Sequence, residues 1–479
     1  MATLPPPLSN LSLWQRTVRS HPLLSSNATT PLPESADTIV VGGGLMGALI
    51  AHHLLERHPH HKVVLLEARE LASGASGRNA GHCRPDAARG FTTFAKLHGG
   101  EQARKIIESE AEVLKLMDDL VKTNGIECEW TRRMTYDACL SPKFTEYTEA
   151  AIAGLQFAGG TPDLIRLDDK EARKATGTNA ETAFAWDAAT VNPAQLTLGV
   201  HTVNGLTGRY EPFAWTPVVD CEPLEGGGGW VVVTERGSVR CNKVVWATNG
   251  YTAAVVPEFK GLVVPQRAQA HKLSRPPAGS TFTPLQGSYS LRKSMEEFYS
   301  VAPRPDGTIV LGASRALIPL NEYHNRANDA GFHAGLAANA LTAFAEIYPE
   351  AGYRPPSLRA LEADAHRAAR LKPTDPLAAL DAPWPAAADV QGEDRGVGFE
   401  YAWTGIIAAT PDLVPFVGEL PGKPGQYAAV GFNGHGMARI ALCAPTLVGY
   451  MDSGEWEGIM PECFRITQER MARLRSAEV

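Results

Sequence analysis

The sequence predicts an α/β fold in which a doubly wound, parallel-sheet domain is joined to an α+β domain containing a large mixed sheet. Three observations predict it. An apolar run, Ala36 to Val41, enters Gly42-Gly43-Gly44-Leu45-Met46-Gly47. A second apolar run, Lys62 to Leu66, ends on Glu67. Short β-like runs separated by turn residues then fill Trp215 to Gly250 and Leu262 to Ala313, between stretches of helical periodicity.

The first two observations make a βαβ unit. Gly42 permits the tight turn, Gly44 lets the backbone approach a pyrophosphate, and Gly47 lets the helix pack closely on the strand. Glu67 falls about 20 residues past the last glycine, the offset at which a carboxylate reaches a ribose hydroxyl. The first turn of the helix presents unpaired N–H groups and the positive end of its dipole to the phosphates, so no lysine is needed. A dinucleotide without a phosphorylated ribose is the expected ligand.

After Glu67 comes a glycine-rich loop, then a helix expected over 101–124, where Ile106, Ile107, Val113, Leu114, Met117, Leu120 and Val121 recur at helical spacing as a packing stripe. Trp130 to Leu140 reads as a strand, Thr148 to Phe157 as a helix, and Asp187 to Gln195 as a linker before another helix. The strands of 215–250 include a Gly226 to Gly229 run that no helix follows, which marks a hairpin tip and not a phosphate loop. In 262–313 the turn Pro305-Asp306-Gly307 links two strands. A helix is expected over 330–347, and the proline-rich 371–387 reads as a surface connection.

The domain division that follows is an N-terminal arm at 1–35, a discontinuous nucleotide-binding domain at 36–100, 190–260 and 399–460, and a substrate domain at 101–189 and 261–370. A proline-rich connection at 371–398 and a C-terminal tail at 461–479 complete it. A chain of 479 residues with 44% hydrophobic content can build two cores. Its 45 Lys and Arg against 52 Asp and Glu give a formal charge of -7, which offers no basic field for nucleic acid or anionic lipid. The seven cysteines lack metal spacing and their odd number argues against a complete disulfide framework, so no metal and a reducing, cytoplasmic location are expected. No signal-peptide stretch or spanning run is read in the chain.

Four patterns in order resemble the D-amino-acid-oxidase-like FAD oxidoreductases, the group containing sarcosine, glycine and γ-glutamylputrescine oxidases. They are Gly42 to Gly47 with Glu67; Gly74-Ala75-Ser76-Gly77-Arg78-Asn79-Ala80-Gly81; Val244-Val245-Trp246-Ala247-Thr248-Asn249-Gly250-Tyr251; and Gly431-Phe432-Asn433-Gly434-His435-Gly436-Met437. The resemblance implies FAD as cofactor. Gly42, Gly44, Leu45, Met46 and Gly47 would face the pyrophosphate, Glu67 and Ala68 the adenosine ribose, and the backbone of Val218 the adenine. Ser76, Arg78, Asn79, Ala80 and Gly81 would run beside the isoalloxazine, with His82 and Cys83 next to them. Ala247 and Gly250 would lie near the phosphates, and Gly434, His435, Gly436 and Met437 would open a helix toward the pyrimidine side of the flavin.

The segments Trp403-Thr404-Gly405-Ile406 and Thr410 to Gly418 look most like the putrescine-oxidase branch. Gly405 stands near where sarcosine oxidases and amadoriases place a flavin-linking cysteine, and no cysteine lies between Cys241 and Cys443, so that linkage is not expected. Trp403 and Thr404 stand where D-amino-acid oxidases place a carboxylate-binding arginine, which argues against a free D-amino acid. The resemblance implies oxidation of the C–N bond of a small amine or amino acid by hydride transfer to flavin, with molecular oxygen as acceptor and peroxide as product. A dehydrogenase using another acceptor and a non-catalytic FAD-binding sensor are the alternatives.

Among the candidate catalytic side chains, His82, with Cys83 beside it, either touches the ring, bonded to it covalently or not, or packs a loop. Arg78 either meets the flavin or supports its own loop. Lys272 could stabilise charge developing on oxygen, or end a solvated strand. Tyr299, sharing a strand face with Val301 by alternation, could line the substrate cavity or pack in the core. Substrate identity and oligomeric state are not legible.

Overall fold

The computed structural model describes residues 3–6, 10–370 and 392–476. The chain forms two sheets. The first has eight strands and is mainly parallel: Ser35–Val41 lies between Val63–Leu66 and Gly237–Trp246, flanked in turn by Tyr210–Phe213 and Gln426–Val430. These strands are buried on both faces and read as unbroken apolar runs such as Val63-Val64-Leu65-Leu66. Val218–Pro223 and Trp230–Thr234 form the hairpin expected around Gly226 to Gly229, and it pairs antiparallel with Gly237–Trp246.

The second sheet has nine strands, and all but one of its pairings are antiparallel. Its spine is Phe399–Ala409, Val264–Leu273, Ile309–Gly312, Phe298–Pro303, Ser288–Arg292, Thr131–Cys139, Thr182–Thr190 and His82–Cys83. Two of these depart from the sequence-based division: Phe399–Ala409 and His82–Cys83, grouped above with the nucleotide domain, pair in this sheet. The two units therefore meet along the strands that border the cavity described below.

The expected linker at Asp187 to Gln195 is corrected. Thr182–Thr190 is a strand paired along its length with Thr131–Cys139, followed at once by the helix Pro193–Gly205 capped by Asn192. Ala183, Phe184, Ala185, Trp186, Ala188 and Ala189 are all buried. With both faces covered, the run lacks the alternation that announces a half-buried strand. The expected helix over 101–124 is two helices, Gly100–Ala111 and Val113–Thr123. The helix near Thr148 starts earlier, at Pro142, where Ser141 caps it and proline occupies the first turn. The proline-rich 371–387 lies outside the described residues.

The arm and the tail are both built into the fold. Leu13, Trp14, Val18 and Leu24 share one core with the helix Leu45–Arg57. Met471 and Leu474 pack beneath the first sheet, where Arg470 makes a buried bidentate pair with Asp412. No helix among the described residues is long and apolar enough to cross a membrane.

Candidate functional site

The strand Ser35–Val41 delivers Gly42 in a left-handed conformation, φ +116°, where a Cβ would stand 2.6 Å from the Ala247 carbonyl oxygen. Gly44 caps the helix Leu45–Arg57. Gly47 sits so close to the loop that a Cβ would stand 2.0 Å from the Gly42 carbonyl oxygen. Glu67, at the end of the neighbouring strand, accepts from Gly43 N at 2.7 Å and Arg69 N at 2.9 Å. Burial pushes its carboxyl up, and those two N–H groups pull against it. The strand-loop-helix read from the sequence is therefore present as one rigid unit, with the carboxylate fastened to the loop it faces.

The Gly74 to Gly81 segment turns through the short helix Ala75–Gly77. Ser76 Oγ accepts from Leu45 N at 2.8 Å, joining the two loops. Asn79 folds back on itself: its Nδ2 donates to Ala75 O and Ser76 O while its Oδ1 accepts from Gly81 N. Arg78 is fully buried and donates to the carbonyls of Ser73, Thr404 and Asn10. Its Nε lies 3.3 Å from Asp329, which also holds Arg69 through both terminal nitrogens. Arg78 thus supports its own loop, the structural one of its two readings. Asp329, absent from any motif, is the carboxylate that ties the loop to the second sheet's connections.

These elements enclose a cavity of about 390 Å³. Its wall includes Leu4, Pro5, Glu67, Ala68, Arg69 and Val218, with Gly42, Gly44, Met46, Ser76, Ala247 and Gly250 from the nucleotide unit. Arg78, Asn79, Ala80, Gly405, Gly434, Gly436 and Met437 line it too, as do Gln269, Phe298, Ser300, Ala313 and Arg315 from the second sheet and the segment that follows it. Leu45, Gly47, Gly81, His82, Cys83 and His435 are not in its wall. Leu45, Gly47, Gly81 and His435 are adjacent in the chain to residues that are, whereas His82 and Cys83 lie two and three positions past Ala80, and Leu45 takes part through its backbone N–H to Ser76.

The reactive side chains are redistributed. Tyr299 does not line the cavity: Phe298 and Ser300 do, and alternation turns Tyr299 to the opposite face, into a core with Val301, Leu341 and Phe344. Lys272 is also withdrawn. It is almost fully buried, with Nζ 3.1 Å from Glu400 and 5.7 Å from the centre of the Tyr401 ring, so its charge is already neutralised. Both corrections have one cause, since strand registers carry side chains to positions that a loose motif alignment does not resolve.

Cys83 is wholly buried and donates from Sγ to the Met437 carbonyl at 3.2 Å; burial pushes its thiol up to about 12. A protonated, buried thiol is not a nucleophile, so Cys83 reaches the cavity only by holding Met437. His82 has both ring nitrogens buried and without a hydrogen-bond partner. Burial, with Arg84 and Arg133 nearby, lowers it to about 3, so the ring is neutral near pH 7. His435 Nε2 lies 2.6 Å from Glu110, whose other oxygen accepts from Arg439 Nε at 2.8 Å. Burial alone would raise Glu110, but the attraction of His435 and Arg439 overrides it and brings the carboxyl down to about 2. This triad fastens the turn before the helix Ile440–Ser453 to the helix Gly100–Ala111.

Besides Arg69 and Arg78, which Asp329 holds, a further cation lines the cavity that the sequence did not flag. Arg315, just past the strand Ile309–Gly312, donates to Gln266 Oε1 at 2.8 Å and sits 5.3 Å from the Tyr323 ring centre. Among the described residues it has no carboxylate partner. Burial lowers its guanidinium, with Tyr323 drawing it partly back. A hydrophilic residue after an apolar strand carries no signal of its own, and only the closing of the sheet over the cavity makes it conspicuous.

Comparison with known proteins fits this geometry. A profile of the DAO family, FAD dependent oxidoreductase, matches residues 37–448. The chain belongs to that family. It is 27% identical over 230 residues to the gamma-glutamylputrescine oxidoreductase of Escherichia coli K12, a match covering 47% of this chain and 52% of that protein. It is 25% identical over 245 residues to the probable oxidoreductase OrdL of Haemophilus influenzae, covering 50% and 56%. The chain thus spans about half the length of these curated relatives. The glycine oxidase structure from Geobacillus kaustophilus superposes with a TM-score of 0.67 at 18% identity, covering 91% of this chain and 99% of that one, and shows the shared fold.

FAD is the cofactor, and the residues present fit it. The close approach at Gly42 and Gly47 leaves bare backbone facing the cavity, the helix Leu45–Arg57 points its N-terminus into it, and a carboxylate waits at the second strand's end.

Proposed function

We propose that this chain oxidises the C–N bond of a small amino acid or closely related carboxylate-bearing amine, with molecular oxygen as the electron acceptor. The observation that carries the substrate class is Arg315, a partly buried cation in the cavity wall with no carboxylate partner among the described residues. A substrate carboxylate would complete it, because a guanidinium binds that group in a planar, two-point fashion. The Escherichia coli and Geobacillus relatives, named for a glutamylated polyamine and for glycine, support a C–N bond as the target.

In the proposed reaction the carbon bearing nitrogen loses a hydride, water hydrolyses the resulting imine to a carbonyl compound and an amine, and oxygen takes up the two electrons as peroxide. FAD supplies the two-electron acceptor when bound. Gly42, Gly44 and the first turn of Leu45–Arg57 would hold its pyrophosphate, Glu67 and Ala68 its ribose, and Val218 its adenine. Ser76 to Ala80, Gly405 and Gly434 to Met437 would flank its ring. Ala268, Ala270, Phe298 and Ala313 keep the substrate end apolar and exclude water, and Arg315 fixes the substrate's orientation. Seven free thiols fit a cytoplasmic protein.

The test is an anaerobic screen of matched pairs, amino acids and their decarboxylated amines, for loss of oxidised-flavin absorbance. Arg315→Gln should lower kcat/KM for the carboxylated member by at least about thirtyfold, the scale of losing about 2 kcal/mol from a buried charge pair, and leave the decarboxylated member unchanged. Equal losses on both members would reject Arg315 as the carboxylate ligand. Reduction without peroxide on readmitting air would assign a dehydrogenase, and failure of every amine to reduce a fully loaded flavin would favour a sensor.

The nucleotide end has its own test. Glu67→Ala should weaken FAD binding by about 1.5–3 kcal/mol, the worth of a hydrogen bond to a charged acceptor, seen as flavin released on dilution. Unchanged retention in a folded variant would reduce Glu67 to a fastener of the Gly43 and Arg69 backbone.

A further inference from the structure

The family profile begins at residue 37, yet the chain before it reaches the cofactor cavity. Leu4 and Pro5 line it together with Glu67, Ala68 and Arg69, and the Pro6 carbonyl accepts from Arg69 Nη1 at 3.4 Å. Farther along the chain, the arm grips the loop that borders the cavity. Ser12 Oγ donates to Gly77 O at 2.5 Å, Trp14 Nε1 to Asn79 O at 2.7 Å, and Gln15 Nε2 to Ser73 O at 3.3 Å. Asn10 O accepts from Arg78 Nη2 at 2.6 Å, and Asn10 Nδ2 donates to Ala402 O at 2.9 Å.

The grip is built, not incidental. Ser12 and Gln15 form a capping box that starts the short helix Leu13–Thr17, and Leu13 and Trp14 are almost fully buried. The side chains that cap this helix, Ser12 and Gln15, are the ones that reach the loop carbonyls, so the cap holds both in the orientation that docks the arm. The loop therefore has the cavity on one side and the arm on the other.

We propose that Leu4 and Pro5, together with Asn10 to Gln15, are part of the FAD site: the first pair walls the cavity beside Glu67 and the second stretch clamps the Ser73 to Gly81 loop, so that FAD release requires the arm to undock. The proposal goes beyond the amine reading and does not depend on it. Because FAD would bind the docked form and not the undocked one, each stabilises the other by the same free energy. Arm opening and FAD loss become one equilibrium.

The experiment uses full-length protein with and without FAD, digested briefly with trypsin. Cleavage after Arg16 and Arg19 samples the open arm, since proteolysis follows the population of the opened form. Cleavage there should be at least about tenfold faster in apoprotein, equivalent to about 1.4 kcal/mol, and adding FAD should restore protection. In parallel, deletion of residues 1–6 and the Trp14→Phe variant should each release FAD about tenfold faster on dilution, read as the rise in free-flavin fluorescence. Phe keeps a buried aromatic ring while removing the indole N–H that donates to Asn79. Equal cleavage in the two forms, or unchanged release from both variants, overturns the proposal. Neither readout involves an amine, so failure of the substrate assignment is seen separately.

Discussion

Gly47→Ala is expected to yield protein that loses FAD on gel filtration and melts earlier than wild type. The added Cβ would stand 2.0 Å from a backbone oxygen, that of Gly42, and 3.3 Å from Val40 Cγ1. No side-chain rotation relieves a clash with backbone. The loop cannot retreat either, because Gly42 N donates to Leu66 O and Ala247 N to Val41 O, pinning it between strands. The helix must therefore move off the sheet, at about 1–3 kcal/mol for an overpacked site, and its N-terminus moves away from the phosphates. Gly205→Ala is the matched control: nothing lies within 4 Å of its Cβ position, and it should melt like wild type. Full FAD retention and an unchanged melting temperature in Gly47→Ala would refute the close-packing role.

Asp329→Asn is expected to be the most destabilising of the polar substitutions. Asp329 is 1% exposed, takes both terminal nitrogens of Arg69 at 3.0 and 3.1 Å, and lies 3.3 Å from Arg78 Nε. The asparagine keeps the shape and removes the charge that two buried guanidiniums share. Breaking a buried pair from one side costs about 3–5 kcal/mol, because the partner is left in the interior uncompensated. The denaturation midpoint in urea should fall by a corresponding amount, and FAD retention should fall with it, since Arg69 and Arg78 both border the cavity. A midpoint within about 0.5 kcal/mol of wild type, the scale of surface substitutions, would show that the arginines are held by their carbonyl partners alone.

The nucleotide unit was legible in the sequence because its constraints are local. Gly42, Gly44, Gly47 and Glu67 lie within one βαβ stretch, and each is required by geometry set by near neighbours. The hairpin at Gly226 to Gly229 and the turn at Pro305-Asp306-Gly307 were readable for the same reason. The strand Thr182–Thr190 was missed because burial on both faces erased its alternation. Lys272 and Tyr299 were misplaced because their roles depend on strand register in a sheet assembled from distant segments. Arg315 and Asp329 carry no motif, and the groups that make them matter, the closed cavity and the two arginines, come together only in three dimensions. The link from Cys83 to Met437 spans 354 residues and leaves no sequence trace.

The bond from Asn10 to the Ala402 carbonyl joins positions 392 residues apart. During synthesis the arm emerges long before its dock on the strand Phe399–Ala409. The first sheet faces the same delay at one place, since Val244 to Trp246 pair on their outer side only once Gln426–Val430 has been made. Such long-range closure is slow and leaves strand edges bare in the interim. A nascent chain of this design carries the arm undocked through the synthesis of everything between residues 10 and 402, and the cofactor cavity acquires the arm's share of its wall only when the two segments meet.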